Sequence, residues 1–242
     1  MQELAGQHAL VSGGGTGIGL ACARALKAAG AHVTILGRRA ELLQTAVARG
    51  EADAALPGDA MAPPALPDVS ILVNAAGAAV SAPFLKTSDA DFRAAFETNV
   101  MSAVALSRAV LPGMLAARRG RIINIASTAA LKGYAYVAPY VAAKHALLGF
   151  TRALALEVAA KGVTVNAICP GFTETPLLAE SLAVIQHKTG MDEAAARAEL
   201  AKHNPQGRLL QPEEIAALTV FLCTAAAQGI HGAALPVSGG EV

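Results

Sequence analysis

The sequence predicts an α/β fold built on a single doubly wound parallel sheet, and three observations carry that expectation. Short β-branched runs recur along the 242 residues with longer helical stretches between them, the pattern of repeated strand-helix-strand units. Several of the runs are apolar at successive positions, as strands are when helices cover both faces of their sheet. The composition is 54% hydrophobic but only 4% aromatic, with 23 glycines and no tryptophan, so the core must be packed from Ala, Val, Leu and Ile.

The strand-like runs are residues 8–12, 32–36, 69–74, 121–126, 164–169 and 233–237, with a further strand ending at Asp59. The first helix, 17–29, opens after a glycine loop and stops at Gly30. The next, 89–111, starts with an Asp-rich turn and is followed by Pro112-Gly113. Pro139 begins the first turn of a helix that carries Tyr140 and runs to 160, and Pro212-Glu213-Glu214 opens one that reaches 222. Proline and acidic residues favour first turns because the N–H groups there are unpaired and the helix dipole is positive. Two places break the rhythm. Only fourteen residues separate Asp59 from Asn74, and Pro63, Pro64 and Pro67 are among them, so an abbreviated loop replaces a crossover helix. A segment from about 173 to 207, with Gly190 in its middle, is far longer than an ordinary connection and is a lid candidate. No linker or repeat divides the chain, which reads as one domain over 1–242.

The formal net charge is +1 with 15% charged residues, which leaves no cationic excess for a nucleic-acid partner. Cys22, Cys169 and Cys223 are far apart and lack metal-ligand spacing, so buried reduced thiols and no metal are expected. The start lacks the pattern of a secretory signal, and no uninterrupted apolar run reaches the ~18 residues of a membrane span. A cytoplasmic protein without membrane contact is the expectation.

Chemistry concentrates at a few positions. Ser12-Gly13-Gly14-Gly15-Thr16-Gly17-Ile18-Gly19 lies between the first strand and the first helix. Glycines there let the chain turn sharply and bring backbone N–H groups and a helix N-terminus against a pyrophosphate, which makes Gly13, Gly15, Thr16, Gly17, Ile18 and Gly19 candidate contacts of a dinucleotide in a Rossmann-type fold. Arg38 and Arg39 follow the second strand, where an acidic residue would bond the ribose of NAD(H) and arginine pairs with the 2′-phosphate of NADP(H). NADP(H) is therefore favoured, with NAD(H) the alternative. Tyr140 and Lys144 are four apart on a helix and share a face. The ammonium is expected to lower the phenol from its ordinary pKa of ~10 and fit it for proton exchange with a carbonyl or alcohol. Tyr134 and Tyr136 have no lysine four residues on. His145 points away from that face, and His187 and His203 carry no assignable role.

In their order and intervals these marks resemble the short-chain dehydrogenase/reductase family. The glycine loop is similar to T-G-x-x-x-G-x-G with Ser12 in the threonine place, Asn74-Ala75-Ala76-Gly77 to N-N-A-G with Ala in its second place, and Tyr140-x-x-x-Lys144 to Y-x-x-x-K. Asn99, Ser127 and Pro170-Gly171 ahead of Thr175 complete the set. The resemblance implies a catalytic tetrad of Asn99, Ser127, Tyr140 and Lys144, in which Ser127 bonds the substrate oxygen and Asn99 holds a helix and a water path from Lys144. It also implies dinucleotide contacts from Asn74, Ala75, Gly77, Tyr140, Lys144, Pro170, Gly171 and Thr175, with Asp59 on the adenine amino group. The expected function is interconversion of a ketone and a secondary alcohol. The segment up to Gly207-Arg208-Leu209 and the following Pro212-Glu213-Glu214-Ile215 look similar to members acting on 3-oxoacyl, polyketide or 3-hydroxyacid substrates. A homotetramer, formed through the apolar helices 89–111 and 140–160, is implied likewise. The alternative is a dinucleotide-sensing regulator with little turnover; loss of Ser127, Tyr140 or Lys144 would mark it, and all three are present.

Overall fold

The computed structural model describes residues 3–242. Strands β1 (His8–Ser12), β2 (His32–Gly37), β3 (Ala54–Pro57), β4 (Ile71–Asn74), β5 (Gly120–Ile125), β6 (Val163–Pro170) and β7 (Ala234–Val237) form one seven-stranded sheet in the order β3-β2-β1-β4-β5-β6-β7. Every pairing is parallel; Leu10 of β1, for example, lies opposite Thr34 of β2 and Leu72 of β4. The order runs outward in both directions from β1 and β4, so the loops leaving those strands part and open a crevice at the C-terminal edge.

All eight residues of β6 are buried, as are Ala9 to Ser12 of β1, which explains why these strands read as continuous apolar runs. On one face α1 (Gly17–Ala28) and α8 (Pro212–Cys223) pack over the sheet through Leu26, Ile215 and Leu222 against Ile35 and Ile123. On the other, Leu106 and Met114 of α4 (Ser102–Ala116) and Leu154 of α5 (Ala138–Val158) meet Leu72 and Val165. Each large aliphatic side chain fully buried in these layers contributes ~1.5–3 kcal/mol, and aliphatics supply both layers. Cys22, Cys169 and Cys223 are free and buried; burial pushes the thiols of Cys22 and Cys223 up to about 12.

Three expectations about element bounds are corrected. The third strand ends at Pro57, two residues before Asp59, because the Asp59 carboxylate turns the chain by accepting from Met61 N at 2.9 Å. The helix expected to stop at 111 continues through Pro112 to Ala116. Pro112 forfeits one backbone donor, while Met114 two residues later is sealed in the core and Ala117, Arg118 and Arg119 bond back to Gly113, Leu115 and Met114. That same helical run is not uniform: α3 (Asp89–Phe96) passes through a π turn, Glu97–Met101, before α4 begins. A helix not anticipated, α2 (Ala40–Ala48), follows β2 and seats Leu43 and Ala46 in the core. By length and composition alone Asp89–Ala116 could cross a membrane, yet its inner face is committed to the sheet.

The α3 start is fixed by a capping box, Ser88 Oγ accepting from Asp91 N and Asp91 Oδ2 accepting from Ser88 N, an arrangement worth ~1 kcal/mol. The long segment after β6 forms two helices, α6 (Pro176–Thr189) and α7 (Glu193–Ala201), separated at Gly190 with φ +74°. It has an apolar cluster of its own, Leu178, Leu182, Ala196 and Leu200, closed by Phe172 and Leu209.

Candidate active site

The site begins with the join between two loops. Ser12 Oγ, buried at the end of β1, accepts from Ala75 N at 3.1 Å and Ala76 N at 3.3 Å, binding the loop after β1 to the loop after β4. Gly13 has φ +65°, and a Cβ there would stand 2.9 Å from Ala76 N. A Cβ on Gly19 would reach 2.4 Å from Gly13 O, so only glycine lets α1 start so close to the loop. Thr16 supplies no side-chain cap to α1, which leaves first-turn N–H groups free to meet an anion. A Cβ on Gly17 would lie 3.3 Å from Thr175 Cγ2. Thr175 itself caps α6 by accepting from Leu178 N.

At the outer end of this cradle Arg38 and Arg39 are both exposed, and Arg39 Nη2 donates to Thr16 Oγ1 at 3.4 Å. A basic group therefore lies over the glycine loop, reached from the next strand. At the inner end, Gly77 faces both Asn99 and Lys144: a Cβ on it would lie 3.0 Å from Asn99 Oδ1 and 3.7 Å from Lys144 Nζ. Asn99 sits in the π turn and donates through Nδ2 to Ala95 O and Ala78 O, each at 2.9 Å, while its buried Oδ1 has no protein partner. A narrow cradle, an uncapped helix N-terminus and an orphaned amide oxygen together fit a dinucleotide.

Lys144 is buried and donates to Ile125 O at 2.9 Å, with Nζ 5.5 Å from the Tyr140 ring centroid. Ser127, just past β5, accepts from Ala129 N at 3.1 Å. Part of Tyr140 is open to the crevice although its hydroxyl end is enclosed. Burial raises the phenol above its ordinary value, and the Ser127 hydroxyl opposes that. Burial likewise pushes the Lys144 ammonium down to about 8, with Cys169 acting in the other direction. The expected lowering of Tyr140 by Lys144 is thus reversed in the protein alone: the ammonium is engaged by a carbonyl and lies over the ring, and desolvation dominates.

The comparisons with known proteins agree with this geometry. A family model described as enoyl-(acyl carrier protein) reductase matches residues 13–241. D-beta-hydroxybutyrate dehydrogenase of Cupriavidus necator is 39% identical over 255 residues, covering 99% of each chain. A 3-oxoacyl-(acyl-carrier-protein) reductase of Pseudomonas aeruginosa is 38% identical over 253 residues, covering 98% of each. Among solved structures, a variant of actinorhodin polyketide ketoreductase with NADPH superposes with a TM-score of 0.91 at 32% identity, over 100% of this chain and 98% of that one.

The chain belongs to the short-chain dehydrogenase/reductase family. It is an oxidoreductase on the sheet that this family's solved members share.

Within this short-chain dehydrogenase/reductase, Asn99, Gly77, Lys144, Tyr140 and Ser127 converge, as do Gly13, Gly15, Thr16, Gly17, Ile18, Gly19 and Thr175 around the glycine loop. Ala75 joins the two loops, and Pro170-Gly171 closes the crevice where Gly171 N donates to Val237 O at 3.0 Å. Two of the proposed contacts also have protein partners of their own. Asn74 is buried, donating to Asn124 Oδ1 at 2.8 Å, and Asn124 continues to Thr151 Oγ1 at 2.8 Å, so the side chain ties β4 and β5 to α5. Asp59 is exposed and engaged in its own turn. Sequence reading passed over Glu241, a carboxylate next to the C-terminus whose side chain is 2% exposed and which accepts from Tyr134 Oη at 2.5 Å. Its signal was only an acidic residue after two glycines, and Tyr134 lies 107 residues away.

Proposed function

We propose that this oxidoreductase reduces the ketone of a 3-oxoacyl-type substrate to a secondary alcohol with NADP(H), and runs the reverse reaction on the matching alcohol. The observation that carries the reading is the enclosed Tyr140 hydroxyl beside Ser127, with Lys144 one turn further along α5. The glycine loop Gly13–Gly19 would hold the dinucleotide, whose chemistry there would be hydride transfer to a carbonyl carbon or from a carbinol carbon. Ser127 and Tyr140 both donate to the substrate oxygen and orient it. As negative charge develops there, Tyr140 transfers its proton; because burial holds the phenol protonated at neutral pH, the resting residue is in the acid form that reduction needs. The Lys144 ammonium stabilises the phenolate left behind, and the unpartnered Asn99 oxygen holds water for its reprotonation.

Specificity for NADP(H) rests on the exposed Arg38 and on the Arg39 guanidinium beside Thr16, and is supported by the NADPH in the related polyketide ketoreductase. Helices α6 and α7 form the lid that closes over substrate. The acyl class is supported by the relatives that reduce 3-oxoacyl groups. A cytoplasmic homotetramer assembled through the outer faces of α4 and α5 completes the reading. The test is a panel of ketones and alcohols, followed by nicotinamide absorbance with each dinucleotide. Turnover of 3-oxoacyl esters with NADPH is expected, and absence of turnover on every carbonyl would overturn the reading.

A further inference from the structure

Glu241 turns its carboxylate into the crevice wall, beside Lys132 and His203. Its Oε1 lies 3.0 Å from Lys132 Nζ and 3.8 Å from His203 Nδ1, and accepts the Tyr134 hydroxyl at 2.5 Å. Because that hydroxyl has a single proton, the 2.6 Å contact between Thr128 Oγ1 and Tyr134 Oη runs from Thr128 to Tyr134. Hence an ordered chain leads from the neighbour of Ser127 to the C-terminal tail. Oε2 is buried without a partner and stands 3.0 Å from where a Cβ of Gly171 would be. The tail reaches this point by turning through Gly239 and Gly240, with φ +63° and +96°.

The cluster borders the reacting groups. Residues 127–134 leave β5 and residues 171–172 leave β6 at the same edge of the sheet, and Tyr140 is close enough to help raise the Tyr134 phenol. Tyr134, Phe172 and His203 pack ring against ring, with centroids 5.2 to 6.0 Å apart, joining the wall to the end of α7. The Lys132 ammonium and the His203 imidazole stand on this wall, 36% and 45% exposed, whereas the carboxylate is sealed. Left alone, the ammonium would offer a substrate carboxylate a charge-assisted hydrogen bond, with the imidazole beside it.

We propose that Glu241 is a specificity-determining residue that occupies Lys132 and His203 from within and so excludes substrates carrying a carboxylate near the reacting carbonyl. The inference rests on the ketone-reducing reading of the site and narrows its substrate to neutral acyl groups. It makes an anion such as the hydroxybutyrate in the name of one relative a poor substrate for this chain.

The experiment compares acetoacetate with methyl acetoacetate, the same ketone with and without the charge. Wild type is expected to favour the ester in kcat/KM by at least tenfold. Glu241→Gln, which keeps the acceptor for Tyr134 but removes the charge, is expected to cut that preference about tenfold, chiefly through KM for the acid. Glu241→Asp should retain the preference, and Lys132→Met in the Gln background should restore it. An unchanged ratio in Glu241→Gln, or wild-type preference for the acid, would overturn the proposal. Calorimetric binding of acetoacetate to the protein loaded with the oxidised dinucleotide reads the same discrimination without turnover: tighter binding to Glu241→Gln than to wild type supports the exclusion, and equal binding sinks it. If neither ketone turns over but the binding difference persists, the ketone-reducing reading fails and the charge exclusion stands.

Discussion

Lys144 Nζ lies 5.5 Å from the centroid of the Tyr140 ring and donates to the carbonyl of Ile125 at 2.9 Å. The lysine is held ready rather than fully used, and burial lowers it to about 8 from an ordinary 10.5. A depressed lysine destabilises the fold while it is charged in both states, below pH 8. The cost is relieved between pH 8 and 10.5, where the unfolded chain binds more protons, and is gone above. Without dinucleotide, Lys144→Met should therefore be more stable than wild type at pH 7, by at most about 3 kcal/mol. The lost bond to Ile125 offsets ~1 kcal/mol of that. Urea unfolding across pH 7 to 10.5 should show the two proteins converging; parallel curves would refute it.

Tyr140→Phe should bind dinucleotide normally and lose at least a hundredfold in turnover, within the ~10² to 10⁴ of a general acid. The ring keeps its place over Lys144 while the proton donor is gone. Steady-state kinetics with a fluorescence titration of the dinucleotide checks both halves. Turnover near that of wild type would remove Tyr140 from the mechanism.

Ser12→Ala should destabilise by ~1–3 kcal/mol, the cost of leaving a buried donor unpaired, because one oxygen serves both Ala75 N and Ala76 N. Dinucleotide affinity should fall with it, since the loops from β1 and β4 are joined there. Ser12→Thr retains the hydroxyl and should keep both properties. Denaturation midpoints and titrations on the three proteins decide the point.

NADP(H) should be preferred over NAD(H) by roughly ten- to a hundredfold in kcat/KM, the scale of one or two charge-assisted hydrogen bonds. Gly37→Asp with Arg38→Leu should reverse the order. A Cβ on Gly37 meets nothing nearer than Leu43 Cδ2 at 3.6 Å, so the aspartate enters without strain. Arg39→Leu alone should weaken NADP(H) more than NAD(H), given its position over Thr16. Wild-type preference for NAD(H) would reduce both arginines to a solvated helix start.

What the sequence made legible was local. The continuous apolar runs of β1 and β6, the glycine loop and the four-residue step from Tyr140 to Lys144 follow from sterics and helix geometry that neighbouring residues set. The helix through Pro112 was not legible, because Met114 anchors it from a core that only the fold creates. Nor was α2, whose start at Arg39 has no side-chain cap. Arg39 over Thr16, Asn74 on Asn124 and Glu241 on Tyr134 join residues 23, 50 and 107 apart in the chain, and no spacing rule reaches that far. The ionisation of Tyr140 was misjudged for the same reason: charge could be read from the lysine, but burial could not.

The π turn at Glu97–Met101 turns one position of the site into a matter of counting. A π turn carries one residue more than the α turn it replaces, so the run from α3 to α4 holds a single surplus residue. Asn99 stands on it. Removing any one residue from 97–101 would let the two helices merge into a regular one whose flanking faces keep nearly the same phase, because the surplus residue is lodged in the wider turn itself. Substitutions here change a side chain, but a one-residue deletion abolishes the bulge. The amide that reaches Ala78 would then lose the turn that presents it to Gly77 and Lys144, in a protein whose sheet and glycine loop were still intact.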